Sequence, residues 1–218
     1  MFRINSITNV TQKRTLRPLY AQSQATPYGG FLSPNWTKAV DIYPGMVMAK
    51  LAGEVFTLCG TASGGGVLPT AQTSYSAPIV RAFGLAALFC APTLGIDETQ
   101  YPHDSSLNVF TVWQGGPDAT FEILAPAFAS SQAWSETASS DGGIILLGIT
   151  NASHTDGPGK LALMDGTNVV ETPVARLIQY KPSGGPTGSS PYLGAGITGA
   201  SIIVQLNETP AIYAQQGV

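Results

Sequence analysis

The stretch VDIYPGMVMAKLAGEVFTLCG, residues 40–60, is the most regularly patterned part of the chain. Pro44 and Gly45 form a turn signal before an apolar run, and the Ala-Gly-Glu of residues 52–54 separates this run from a second one. Short apolar runs bounded by turn residues are typical of paired strands. The stretch therefore predicts a β-hairpin.

Similar short apolar segments recur along the rest of the chain. NVFTVWQGGPDATFEILAPAF repeats the strand-turn-strand pattern and predicts a second hairpin. Further strands are predicted in the segments IVRAFGLAALFCAP, GGIILLGIT, GKLALMDG, PVARLIQY and SIIVQLN. Many short strands separated by Gly/Pro turns indicate an all-β fold, either a β-barrel or a β-sandwich.

The composition is unusually poor in charge. Only 11% of the 218 residues are charged, against about 25% in an ordinary soluble protein. The apolar fraction of 44% suffices for a packed core. Because interspersed charge keeps free monomers apart, the composition favours a surface covered by partners. A surface of Ser, Thr and Asn is the alternative explanation.

Charge is also unevenly distributed. Residues 1–40 carry five basic side chains and no acidic one, whereas the remainder has five basic and thirteen acidic side chains. Three prolines and a Gly-Gly pair break the first segment, so we expect residues 1–38 to be an extended N-terminal arm. Residues 39–218 are predicted to form the body, with long Gly/Ser/Pro loops at about 60–78 and 182–200. We also expect this body to fold without residues 1–20.

An extended arm that is both basic and apolar is suited to binding a neighbouring subunit. Its candidate contact residues are Arg3, Ile4, Ile7, Lys13, Arg14, Arg17, Leu19 and Tyr20. Nucleic acid is disfavoured as a partner because the body is acidic. No apolar run is long enough for a signal peptide or a membrane span, so we expect a soluble protein made in a cytoplasm.

No motif for catalysis, a metal or a cofactor is recognisable. His103 and His154 both lie in loop sequence, and the neighbours of His103 do not form a catalytic triad. Glu54 and Glu122 adjoin apolar segments without an evident carboxylate partner. Cys59 is expected to be a buried free thiol, as is Cys90. The chain is therefore predicted not to be an enzyme, and to need no metal or cofactor.

Residues 40–60, together with FGLAALFCAPTLGIDET and FTVWQGGPDATFEILAPAF, resemble segments of capsid decoration (cement) proteins of tailed bacteriophages. The resemblance covers about residues 38–180. It implies a β-barrel or tulip-like body on the capsid exterior, contacts with the major capsid protein, and homotrimers or other homo-oligomers. It implies no catalytic residues.

The sequence therefore predicts a structural virion protein that clamps major capsid subunits. Two alternatives remain open at this stage. A tail-tube or head-completion protein would also be β-rich and lightly charged. A carbohydrate-binding β-sandwich would use exposed aromatic side chains, for which Trp36, Trp113 and Trp134 are the candidates.

Overall fold

The structure is a computed structural model that describes residues 15–20, 25–32, 41–51, 54–59, 82–87, 109–115, 118–135, 145–151, 153–164, 167–182 and 199–206. Every regular element in these residues is a β-strand. The strands are β1 (Leu16–Tyr20), β2 (Thr26–Leu32), β3 (Val47–Leu51), β4 (Val55–Leu58), β5 (Ala82–Ala86), β6 (Val109–Gln114), β7 (Thr120–Leu124), β8 (Leu146–Thr150), β9 (Leu161–Leu163), β10 (Val169–Lys181) and β11 (Ser201–Leu206). The all-β prediction is confirmed.

Five strands close into a barrel in the order β2-β4-β3-β5-β6. Its first hairpin is the predicted one, because β3 and β4 pair antiparallel with Met48 opposite Leu58. Strand β2 closes the barrel by pairing parallel to β4 and antiparallel to β6. Closure leaves no open sheet edge within these five strands.

The other six strands form a sheet in the order β1-β7-β11-β10-β8-β9. All neighbouring pairs in it are antiparallel. The short edge strand β9 is covered by the segment that follows β7, where Phe128 bridges to Leu161 and the Ala129 amide donates to the Leu161 carbonyl at 3.0 Å. The other edge strand is β1, which pairs with β7 from Leu16 opposite Ile123 onwards.

The barrel and the sheet share one hydrophobic core. Gly45, in the predicted turn before β3, has φ +103°, and a Cβ there would lie 2.8 Å from Cγ2 of Ile123 in the sheet. A side chain is therefore excluded both by backbone conformation and by space. The sequence predicts nine apolar strand residues as core, namely Val109, Phe110, Val112, Phe121, Ile123, Ile145, Leu147, Ile202 and Val204. Seven of them are buried, Ile145 is half-buried, and the side chain of Val109 lies outside the described part.

The second predicted hairpin is wrong. Strand β6 belongs to the barrel and β7 to the six-stranded sheet, so the two do not pair with each other. Gly115 follows β6, and a Cβ at this position would lie 2.6 Å from Cβ of Leu206 at the end of β11. Gly115 therefore lies close against the end of β11 in the six-stranded sheet.

Two described strands lie inside the segment predicted to be an arm. β1 is an edge strand of the six-stranded sheet and β2 completes the barrel, so both are built into the body. Residues 1–14 and both predicted long loops, apart from Pro182, Gly199 and Ala200, lie outside the described residues. The boundary at residue 38 therefore stays a prediction.

Candidate functional site

The six-stranded sheet has one face in the core and one face turned away from it, which we call the outer face. Residues directly opposite each other in paired strands lie on the same face, so the register assigns its members. Arg17 is opposite Glu122, Leu146 is opposite Arg176, and Lys181 is opposite Ser201. The outer face includes Arg17, Thr120, Glu122, Leu146, Arg176, Ile178, Gln179, Lys181, Ser201, Ile203 and Gln205, and also the buried Leu124 opposite Ser201.

Glu122 is the centre of a polar cluster on this face. Its side chain is only 3% exposed, and Ser201 Oγ donates to Oε1 at 3.1 Å. Two cations approach the carboxylate, Arg17 with Nη1 3.7 Å from Oε2 and Lys181 with Nζ 3.3 Å from Oε1. The four residues come from β1, β7, β10 and β11. A buried carboxylate is tolerated when cations and hydrogen bonds offset its desolvation, so the cluster ties these strands together.

A second part of the outer face is open to solvent. Ile178 and Leu146 are among the few exposed large apolar side chains of the described residues, at 44% and 40%. Arg176 lies opposite Leu146 and is also exposed, while its Nε donates to the side-chain carbonyl of Gln205. We call Leu146, Arg176, Ile178 and Gln179 the outer patch.

A bulge in β10 creates this patch. The register between β10 and β11 shifts between Leu177 and Gln179, so Ile178 is the extra residue. A bulge breaks the alternation of side chains between faces. As a result Ile178 and Gln179 are consecutive and both exposed, while Leu177 is buried.

The structure describes three of the eight candidate arm residues, and all three lie in β1. Arg17 takes part in the Glu122 cluster, and Leu19 is half-buried at the shift in register between β1 and β7. Tyr20 lies opposite Thr120. The other five, Arg3, Ile4, Ile7, Lys13 and Arg14, lie outside the described residues. A partner contact by these eight residues stays a prediction.

Neither glutamate singled out in the sequence is placed for acid-base chemistry. Glu54 is bonded by Lys50, whose Nζ lies 2.8 Å from Oε2, and this contact lowers the pKa of the carboxyl. The Lys50 ammonium also donates to Tyr28 Oη at 3.0 Å and lies 5.4 Å from the ring centre of Phe83. Glu122 is enclosed by the cations described above. Both carboxylates therefore serve to hold strands together.

His154 lies in a turn that is bonded to a neighbouring loop. Its Nδ1 accepts from the Asp156 amide at 3.1 Å, and Ser131 Oγ donates to Oδ2 of Asp156 at 2.5 Å. A catalytic serine would instead donate to the imidazole. His103 lies outside the described residues. In the part of the chain that the structure describes, no group of His, Cys, Asp and Glu is arranged to hold a metal ion.

The two described tryptophans are packing residues. Trp134 stacks on Tyr180 with ring centres 6.0 Å apart, meets Phe128 edge-on, and donates Nε1–H to the Ala129 carbonyl at 2.7 Å. Trp113 packs against the core from β6. Neither forms an open platform for a sugar. Trp36 lies outside the described residues.

A protein-family model described as phage cement protein matches residues 1–180. The chain belongs to the phage cement protein family. The resemblance seen in the sequence is thus confirmed, and the role of the protein is capsid decoration, a structural role in the virion at the capsid shell. Comparison with curated proteins and with solved structures finds no match.

The matched region of this cement protein ends within β10 and does not include β11. β11 nevertheless lies between β7 and β10, where it supplies Ser201 to the Glu122 cluster and Gln205 to Arg176. Among the described residues, no helix is long and apolar enough to cross a membrane.

No residue of the outer patch was singled out from the sequence alone. A signal existed for Arg176, which stands between two apolar residues in PVARLIQY, the pattern of a side chain that faces out of a strand. Ile178 and Leu146 were missed, because apolar residues in a strand are normally assigned to the core. The bulge that exposes Ile178 has no signal in the sequence.

Proposed function

We propose that this cement protein binds the major capsid protein on the exterior of the capsid and stabilises the shell, with residues 1–20 contributing a contact. The match to the family over residues 1–180, which include the basic N-terminal segment, carries the proposal. We further propose that it acts as a homotrimer or another homo-oligomer. Nucleic acid, membranes and enzymatic activity have no part in the proposed function, and synthesis is in the host cytoplasm.

The geometry around Thr15 supports a role for the N-terminal segment. The Thr15 carbonyl accepts from the Leu124 amide at 2.8 Å, and Thr15 Oγ1 donates to the Pro44 carbonyl at 2.5 Å. These two bonds hold Thr15 against both the six-stranded sheet and the turn that opens β3. Residues 1–14 therefore start from a defined point on the body, which favours binding to a neighbour because less orientational freedom is lost.

The test is to mix undecorated shells with the full-length protein and with a protein that begins at Thr15. Occupancy of the shells is measured by cosedimentation over a dilution series. The temperature at which the shells break is measured by heating them with and without bound protein. We expect the full-length protein to saturate the outer surface and to raise the temperature at which shells break. We expect the shortened protein to bind more weakly while remaining folded.

Cryo-electron microscopy of the decorated shell shows where on the particle the protein binds. Density at regular positions on the outer surface is the expected result. Density confined to the portal vertex or the tail would instead support the head-completion or tail-tube alternative. Failure of the folded full-length protein to bind shells would contradict the proposed function.

A further inference from the structure

The outer face differs in charge from the rest of the chain. Among the side chains that the structure describes, its charged members are Arg17, Arg176, Lys181 and Glu122, which are three cations and one anion. Beyond residue 40 the chain has thirteen acidic and five basic side chains. Setting aside Glu122, Arg176 and Lys181 leaves twelve acidic and three basic side chains there. The protein therefore combines a cationic sheet face with a body that is strongly acidic elsewhere.

The outer patch has the composition of a binding centre. Exposed apolar side chains flank an exposed arginine, since Leu146 lies opposite Arg176 and Ile178 is two residues farther along the same strand. Arginine and large apolar side chains are common at the energetic centres of protein interfaces. The bond from Arg176 Nε to Gln205 holds the guanidinium in place and leaves its terminal N–H groups for a carboxylate.

The charges favour one kind of contact between copies. If two outer faces met across a two-fold axis, two surfaces of the same net positive charge would approach each other and repel. The acidic remainder of another copy is complementary to the patch. A contact between two different surfaces is head-to-tail, and such contacts close into rings when the rotation allows it.

We propose that the outer patch docks an acidic surface of a second copy of this chain, so that copies join head-to-tail. This inference specifies which surfaces meet in the proposed homo-oligomer, and it rests on that part of the proposed function. A face of six strands spaced by about 4.8 Å and about 17 Å long spans at most roughly 400 Å², and the outer patch is only part of it because the Glu122 cluster is buried. A standard interface takes about 800 Å² from each partner, so the contact is weak in free solution. Copies held side by side on a shell gain from a high effective concentration.

Sedimentation velocity of the full-length protein without shells tests this contact at protein concentrations up to about 1 mM. Each series is run in low salt and in high salt, chosen so that the electrostatic screening length differs about threefold. The variants are Arg176→Glu, Arg176→Lys and Ile178→Ser. The controls, Thr26→Glu and Phe31→Ser, change exposed residues of β2 in the barrel, and Phe31 is 36% exposed. Urea unfolding confirms that each variant is folded.

We expect concentration-dependent association that weakens with salt. Arg176→Glu should weaken it at least about tenfold, which is about 1.4 kcal/mol. Ile178→Ser should also weaken it, while Arg176→Lys retains most of it and both controls leave it unchanged. A wild-type protein that stays monomeric throughout, or a folded Arg176→Glu protein that associates normally, would overturn the proposal.

Shell binding by the same variants separates this inference from the proposed function. A monomeric protein that saturates shells would support the proposed binding to the shell, and would exclude the head-to-tail contact together with the proposed homo-oligomer. An Arg176→Glu protein with unchanged association but reduced shell occupancy would show that the patch meets the shell, and would exclude the second copy as its occupant. Association without shell binding would support this inference and contradict the proposed function.

Discussion

Arg17 on β1 and Glu122 on β7 lie directly opposite each other in the sheet, with Nη1 of the arginine 3.7 Å from Oε2 of the glutamate. Lys181 approaches the same carboxylate from β10. Arg17, which was assigned from the sequence to a partner-binding arm, thus neutralises the buried carboxylate of Glu122 in its own chain. Strand β1 is therefore attached to the sheet by an ion pair as well as by its backbone.

Glu122→Ala should lower the free energy of unfolding. The change removes the carboxylate that Arg17 and Lys181 both approach, but each cation remains about a quarter exposed, at 26% and 22%. We therefore expect a loss of about 1–3 kcal/mol, below the 3–5 kcal/mol of a fully buried pair. The loss in the free energy of unfolding is measured by urea unfolding, and it is comparable between proteins when the m-value is unchanged. Glu54→Gln, at the exposed pair with Lys50, is the control and should have a smaller effect; equal effects would contradict the role given to burial.

Two N-terminal deletions should differ sharply in stability. The sequence alone suggested that the body folds without residues 1–20, but the structure leads to a different expectation. A protein beginning at Thr15 keeps β1 and should unfold near the wild-type urea midpoint. Deletion of residues 1–20 removes β1 and Arg17, so it exposes the edge of β7 and leaves Glu122 with one cation fewer. Its midpoint should fall clearly, and equal midpoints would show that β1 contributes nothing to the fold.

Phe121→Ala should be strongly destabilising. Phe121 is fully buried at the centre of the shared core, and truncation of such a side chain costs about 3–5 kcal/mol. Phe31→Ala, at a position 36% exposed on β2, is the matched control and should cost clearly less. Thermal and urea unfolding of both variants measure the difference. Similar losses would mean that Phe121 is not a central core residue.

Gly45→Ala should also be destabilising, by about 1–3 kcal/mol from the backbone alone. Gly45 has φ +103°, and the added Cβ meets Ile123 at 2.8 Å. Gly157→Ala provides the control, because Gly157 also has a positive φ, +83°, but no atom lies within 4 Å of the added Cβ. Urea unfolding measures the loss in the free energy of unfolding for both variants. A larger loss for Gly45→Ala than for Gly157→Ala reports the contact between the turn and the sheet, and equal losses would argue against that contact.

Cys59 should make stability fall at alkaline pH. Burial raises the pKa of its thiol from 9.0 to about 12, so above pH 9 the unfolded chain loses a proton that the folded protein keeps. The associated stability is complete below pH 9 and is lost as the pH rises towards 12. The two proteins compared both carry Cys90→Ser, and one of them also carries Cys59→Ala. Between pH 8 and pH 10 the protein that keeps Cys59 should lose about 1 kcal/mol more free energy of unfolding than the one without it. Equal losses in urea unfolding would contradict burial of the thiol.

Much of the strand content was visible in local patterns. Turn residues at Pro44 and Gly45 and the apolar runs around them predicted the β3–β4 hairpin, because hairpin pairing is set by residues close in the chain. The link after β6 looked alike in sequence but leads to another sheet. Gly115, at the start of this link, lies close against Leu206, which is far away in the chain, so no local pattern could reveal that contact.

The sequence by itself determined an all-β fold through short apolar runs between Gly/Pro turns, and it showed few charges and a basic segment before residue 40. The resemblance of its segments to cement proteins indicated the family. Only the tertiary structure decided where those features act. It divided the strands between a barrel and a sheet and paired Arg17 with Glu122. It also turned Ile178 outward through a bulge. The reason is physical: composition and period report which residues can be buried, whereas strand partners and faces depend on contacts between residues distant in the chain.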